Sequence, residues 1–125
     1  MTYKVVINGQ FKSLNQYLQA CGVHPKRGAS MKKKDMEILE WEIRKQMPHV
    51  ILKTPVRFVY RFYEPNRRRD KSNSCAYFIK IWEDSLQAVG ALKNDNWSGV
   101  DSWTTEFDVD SKNPRIEVEI IEVDA

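Results

Sequence analysis

Pro55 opens a run in which side chains alternate without a break. Val56, Phe58, Tyr60 and Phe62 fall on one side, and Arg57, Val59, Arg61 and Tyr63 on the other. Successive strand residues project to opposite faces, so a period of two with an aromatic side and an arginine-bearing side reads as a half-buried strand. An aromatic face of this kind has to be covered by another layer, which commits the chain to a sheet with something packed on it.

The flanking segments read as that layer and its neighbouring strands. Tyr3 to Phe11 is a strand that closes at the turn dipeptide Asn8-Gly9. Ser13-Leu14-Asn15-Gln16 caps a short helix running through Cys21 and stopped by Gly22. Residues 22–30, rich in Gly, Pro and basic side chains, read as a loop. Ser30 begins a longer helix to about Met47, ended by Pro48. Met36, Leu39, Ile43 and Met47 share one face of it, while Ile38 and Trp41 lie on another. A second apolar face calls for a second cover, either a partner subunit or an internal contact.

Residues 71–89 form the next helix, with Cys75, Ile79, Trp82 and Leu86 as its buried stripe and Gly90 as its stop. Asn73, Tyr77, Lys80 and Asp84 make the opposite, polar face. Val100 to Val109 and Arg115 to Val123 are two closing strands joined by a turn at Asp110-Ser111-Lys112-Asn113-Pro114. Glu117 and Glu119 alternate with Ile116, Val118 and Ile120, placed to pair with Arg57 and Arg61 on a neighbouring strand. The expected architecture is one small α+β domain over residues 1–125, a mixed sheet packed against two main helices.

Composition narrows the function classes. With 42% hydrophobic and 30% charged residues, the chain has the make-up of a soluble globular domain. It carries no N-terminal basic-then-apolar segment of the signal-peptide type, and no apolar run nears the ~20 residues of a membrane span. Cys21 and Cys75 have neither metal nor redox spacing, and His24 and His49 are isolated. No glycine-rich nucleotide loop and no Ser-His-Asp signature is present. Charge is unevenly spread: residues 1–71 hold 16 Lys and Arg against 6 Asp and Glu, residues 72–125 hold 4 against 11. Such asymmetry marks either a polyanion-binding surface beside an acidic one or two halves that neutralise each other across the sheet.

The densest chemistry sits at the start of the second main helix, where Arg67, Arg68 and Arg69 run into Asp70, Lys71, Ser72 and Asn73. Lys80, Asp84 and the loop pair Asn94-Asp95 follow. Guanidinium groups bind phosphate as planar forks, and carboxylates collect hard cations such as Mg²⁺. Each residue also has an ordinary use: Asp70 as an N-cap, the arginines as a solvated loop, Lys80 and Asp84 as a surface pair worth ~0.3–0.5 kcal/mol. Lys32, Lys33 and Lys34 form a second basic cluster.

Glu64-Pro65-Asn66-Arg67-Arg68-Arg69-Asp70, then Asn73, Lys80, Asp84-Ser85-Leu86, Gly90 and Asn94-Asp95, resemble the RusA family of Holliday junction resolvases. That family's pattern is a basic run, Asp-x-Asp-Asn, a helical lysine, an Asp-Ala-Leu-like turn, glycine and an acidic loop. Gly9, Leu14-Asn15, Tyr17 and Asn113-Pro114-Arg115-Ile116-Glu117-Val118 resemble its phage-borne members, so the likeness spans nearly the whole chain. It implies a RusA-like α+β homodimer that binds four-way DNA junctions and cleaves them with Mg²⁺ or Mn²⁺, in recombination and repair. It also implies a cytoplasmic location on the nucleoid-associated DNA of a bacterial host.

By position, the resemblance makes Asp70, Lys80 and Asp95 catalytic, with Asp70 and Asp95 as metal ligands and Asn73 orienting a ligand from behind. Arg67, Arg68, Arg69, Lys32, Lys33 and Lys34 would grip DNA. Ser72 stands where the family has its second motif aspartate. A hydroxyl is a neutral and weaker Mg²⁺ ligand than a carboxylate, so metal binding and turnover should both suffer while DNA binding survives. Two other classes stay open: a junction-binding protein without catalysis, and a structural protein whose basic half binds an acidic partner.

Overall fold

The alternating run becomes the strand around which the molecule is organised. In the computed structural model, which describes residues 1–123, it is β2 (Val56–Glu64). Before it come β1 (Thr2–Asn8), α1 (Leu14–Val23) and α2 (Pro25–Gln46). After it come α3 (Lys71–Ala88), β3 (Val100–Val109) and β4 (Arg115–Glu122). Among the described residues these make an α+β domain of three helices and one mixed sheet, ordered β1-β4-β2-β3. β4 is antiparallel to both β1 and β2, whereas β3 runs parallel to β2. Parallel neighbours need a crossover, and α3 supplies it. The turn at 110–114 therefore joins strands that are not neighbours, with β2 lying between them.

The helices cover one face of the sheet. Val56, Phe58, Tyr60 and Phe62 of β2 are buried there beside Val5 and Ile7 of β1 and Ile116, Val118 and Ile120 of β4. Leu39, Ile43 and Met47 from α2, and Phe78, Trp82 and Leu86 from α3, close the core. Each such large side chain contributes roughly 1.5–3 kcal/mol by leaving water. The other face is a charged lattice. Arg61 meets Glu119 at 3.0 Å, as its alternation predicts, but Arg57 turns to Asp101 at 3.2 Å. Glu117 is held by Lys4 at 2.9 Å and Arg115 at 2.8 Å instead of by an arginine of β2.

Several boundaries differ from expectation. β1 ends at Asn8, at the expected turn dipeptide, and does not run on to Phe11. Gly22 lies inside α1, and α2 begins at Pro25 rather than Ser30, so the expected loop at 22–30 is mostly helical. Pro25 occupies the first turn, where a missing N–H costs nothing, and the His24 ring accepts from the Lys26 N–H at 3.1 Å. α1 starts as expected, with a capping box between Ser13 and Gln16. α3 closes in a Schellman arrangement: Gly90 takes a left-handed φ of 82°, and the Ala91 N–H reaches back to the Leu86 carbonyl at 2.9 Å. Cys21 and Cys75 are free thiols. No helix among the described residues is long and apolar enough to cross a membrane.

The two sheet edges are treated differently. On β1, the Gln46 side chain accepts from the Val6 N–H and donates to the Val6 carbonyl, both at 2.8 Å, sealing the edge with an amide from α2. β3 forms the other edge, and most of its length is exposed. An open edge is a template for pairing or for ligand contact.

Candidate functional site

α3 carries most of the residues in question, so its geometry decides which of them meet. Lys80, at mid-helix, bonds Asp95 at 3.0 Å and Asp84, one turn on, at 3.3 Å. Asp84 also receives Lys32 from α2 at 3.2 Å. The result is an alternating chain, Lys32–Asp84–Lys80–Asp95, that ties α2, α3 and the loop before β3. The hydrogen bond from Lys80 holds the Asp95 carboxyl below its ordinary range, and the same bond raises the Lys80 ammonium.

The loop is built to hold Asp95 in place. Asn96 Oδ1 accepts from the Ser98 N–H at 2.9 Å and the Ser98 hydroxyl at 2.7 Å. The Asn96 carbonyl accepts from the Val100 N–H at 2.9 Å. Gly99 is required by close approach, because a Cβ there would overlap the Asn94 backbone carbonyl. Glu83 lies partly buried nearby, and burial, reinforced by the Asp95 charge, pushes its carboxyl up to about 7.

Asp70 is elsewhere. It is the N-cap residue of α3 and its side chain makes no cap hydrogen bond. At ~1.5 Å rise per residue, Lys80 lies about 15 Å along the axis from Asp70. The sheet gives a similar ruler. Trp103 lines the cavity beside Asp95, whereas Val109 lines the one beside Arg67 and Lys71, roughly 20 Å further along β3 at ~3.3 Å per residue.

Mg²⁺ ligands stand ~2.1 Å from the ion, so Asp70 and Asp95 of one chain cannot share an ion at this separation. Among the described residues no group of three or more His, Cys, Asp or Glu side chains is arranged to hold a metal. Of the expected Asp70–Ser72–Asp95 set, Asp70 and Ser72 stand together at the α3 N-terminus, and Asp95 stands further along the helix beside Lys80. Ser72 is exposed on the first turn of α3, near Asp70 and far from Asp95.

Other expected site residues have structural partners. Asn73 Oδ1 accepts from the Asn15 N–H at 2.9 Å, satisfying a donor in the first turn of α1 rather than orienting a metal ligand. Arg69 grips Glu64 at 2.9 Å and the Phe11 carbonyl at 2.7 Å, so it pins the end of β2 to the start of α1 and is not free for phosphate. Lys32 is engaged by Asp84. Arg67 and Arg68 are exposed, as are Lys33 and Lys34, and their side chains form no salt bridge among the described residues. Arg67 and Lys71 line a cleft of about 400 Å³ with Phe107 and Val109, where Lys71 stands 5.8 Å over the Phe107 ring.

Tyr77 is not on a solvated face. It is buried, stacks on Tyr17 with ring centroids 4.9 Å apart, and donates to Asp35 at 2.7 Å. Burial and that hydrogen bond raise its phenol strongly. Asp35, itself buried and also met by Lys12 at 3.3 Å, escapes sequence reading because it sits among lysines on a charged stretch of helix. Trp97, 98% exposed, and Trp103, 48% exposed, also carry no sequence signal beyond their type.

No protein-family model matches the chain, nor does any curated protein sequence.

Proposed function

We propose that this chain is a RusA-type protein of DNA recombination and repair that grips four-way (Holliday) junctions. One observation carries the reading: Lys80, Asp84 and Asp95, widely spaced residues of the motif, meet at 3.0 and 3.3 Å on one rim of the molecule. At the start of the same helix, Arg67 and Lys71 present exposed cations at a cleft, and Arg68 is exposed beside them, as a phosphate-binding surface requires. A four-way junction has two symmetry-related strands at its centre, and a two-fold homodimer offers matched surfaces to both. Ile38 and Trp41, 50% and 67% exposed on α2, supply apolar area for such a contact.

Mg²⁺-dependent hydrolysis of the junction is the second reading, favoured by the Lys80–Asp95 pairing alone. Ser72 and the distance from Asp70 to Asp95 weigh against it within one chain, so binding without rapid turnover is the lead proposal. The test is gel-shift binding of four-way junction against linear duplex, with cleavage followed in Mg²⁺ or Mn²⁺ and mass measured by light scattering. Junction-selective, salt-dependent binding by a dimer is expected. Equal, weak binding to both DNAs would defeat the proposal.

A further inference from the structure

Trp97 projects almost wholly into solvent from a turn that is fixed by hydrogen bonds rather than loose. Three donors converge on Asn96 Oδ1, two backbone N–H groups bond the Asn96 carbonyl, and Gly99 permits an approach no other residue would. Holding a large apolar ring rigidly in water is unfavourable unless something covers it. Beside it is a cavity of about 360 Å³ whose walls are Trp97, Trp103, Glu83, Asp95 and Asp101. Trp103 is braced edge-on against the buried Tyr60 ring, centroids 6.3 Å apart.

The chemistry of these walls is selective. Two indoles offer flat faces, and the carboxylates offer hydrogen-bond acceptors. The ligand that matches is planar, apolar on its faces and rich in N–H donors at its edge. Its surroundings do not repel a polyanion, because Asp95 is offset by Lys80 at 3.0 Å and Asp101 by Arg57 at 3.2 Å. Burial keeps Glu83 partly protonated near neutrality. Exposed cations for phosphates stand at the N-terminal end of α3, on Arg67 and Arg68 just before it and Lys71 in its first turn.

We propose that this cavity receives a nucleobase unstacked from DNA, sandwiched against Trp97 and Trp103, with its N–H edge on the carboxylates of Glu83 and Asp101. Guanine fits best, since its Watson–Crick edge places two N–H donors side by side. Bases at a branch point are the ones most readily unstacked, so the site would read the junction's centre while the arginines hold its arms. The inference rests on the DNA-binding reading above.

The test uses the full chain with four-way junctions and single strands carrying 2-aminopurine or guanine at the reported position. Base–indole stacking predicts that Trp97→Ala weakens binding by about tenfold or more and abolishes the 2-aminopurine quench, leaving the salt slope unchanged. Trp97→Phe, which keeps a ring, should stay within about threefold of the parent. Asp101→Asn should reduce the preference for guanine over inosine, which lacks the amino group.

If the parent chain binds DNA with a normal salt slope but Trp97→Ala changes neither affinity nor quench, this inference falls and the DNA-binding reading stands. If no DNA binds in a salt-dependent way, that reading fails as well. A Trp97→Ala variant that loses a dimer in light scattering instead of DNA affinity assigns Trp97 to a subunit contact and overturns the proposal. Free guanosine monophosphate binding as tightly as the single strand would overturn the assignment to DNA.

Discussion

The two ends of α3 divide chemistry that the sequence presents as one motif. At the α3 N-terminus stand Asp70, Ser72, Arg67, Arg68 and Lys71, with exposed cations and no internal ion pair to Asp70 among the described residues. About 15 Å along the helix, Lys80, Asp84 and Asp95 are already mutually neutralised and flanked by indoles. The first end presents uncompensated cations, and the second presents paired charges beside two indole rings. The difference teaches that residues grouped into one motif by reading order meet only where the fold brings them to one level.

The largest effect able to break this comparison is catalytic. Ser72→Asp places two carboxylates at the α3 N-terminus and should raise Mg²⁺-dependent junction cleavage from little or none by orders of magnitude, with small change in affinity. Asp70→Asn in that background should remove the gain, because both carboxylates would serve one ion. Asp95→Asn is the deciding partner variant. If it leaves the gain intact, the N-terminal end is the chemical centre by itself. If it removes the gain, the two ends meet across subunits and their separation within one chain no longer describes the active assembly. Cleavage timed on a labelled junction reads all three.

The three arginines sharpen the comparison from within. Arg67→Ala with Arg68→Ala should weaken junction binding and lower the magnitude of the salt slope by up to about 2, at ~0.9 for each phosphate no longer neutralised, without changing Tm. Arg69→Ala should do the reverse. Removing its bonds to Glu64 and the Phe11 carbonyl leaves partly buried acceptors unpaired, a loss of roughly 2–3 kcal/mol in denaturant unfolding with little effect on the slope. Equal slopes for both variants would erase the distinction.

How far the sequence reveals this depends on what each residue touches. The β2 alternation, the capping box at Ser13, the stop at Gly90 and the α+β class are all local patterns, and all appear in the structure. Gly28 misleads because it looks like a loop residue. It is a helical residue at the α1–α2 crossing, where a Cβ would overlap the Cys21 sulfur. Tyr77 misleads because helical spacing puts it among polar neighbours, while its actual partner, Asp35, is 42 residues away. The same holds for Arg69 and Asn73, whose fates are decided by α1 packing near the α3 N-terminus. At the other end, Lys80 and Asp84 are legible as an i,i+4 pair, but Glu83 gives no hint, since only the fold buries it.

Glu83 gives the next effect in size. Its carboxyl is raised from the ordinary 4.5 to about 7, first by burial and then by the Asp95 charge, with Asp84 adding to it and Lys80 opposing. Below about pH 4.5 it is protonated folded or unfolded. As pH rises towards 7 the unfolded chain releases the proton first, so this group's contribution to stability is lost across that window. The upper bound is about 3 kcal/mol, lessened by solvent contact. Glu83→Gln should flatten stability between pH 4.5 and 7 and stabilise the chain at pH 8. A Tm–pH profile parallel to that of the parent would show that Glu83 titrates normally.

The smallest effect tests whether the neutralised end is a scaffold or merely a surface. Lys80 has a 61% exposed side chain, so its bonds to Asp84 and Asp95 lie in high dielectric and are screened by salt. Lys80→Met should therefore change stability by less than about 1 kcal/mol, an amount that shrinks further in high salt. The consequence should instead be local. Asp95 would lose the cation that holds its carboxyl down, and its titration, followed by NMR, should move upward toward the ordinary value. Uncompensated charge at Asp95 would also face Glu83 and raise it further. An Asp95 titration that stays low in Lys80→Met would mean that the loop's own hydrogen bonds, not the Lys80 cation, hold the carboxylate down.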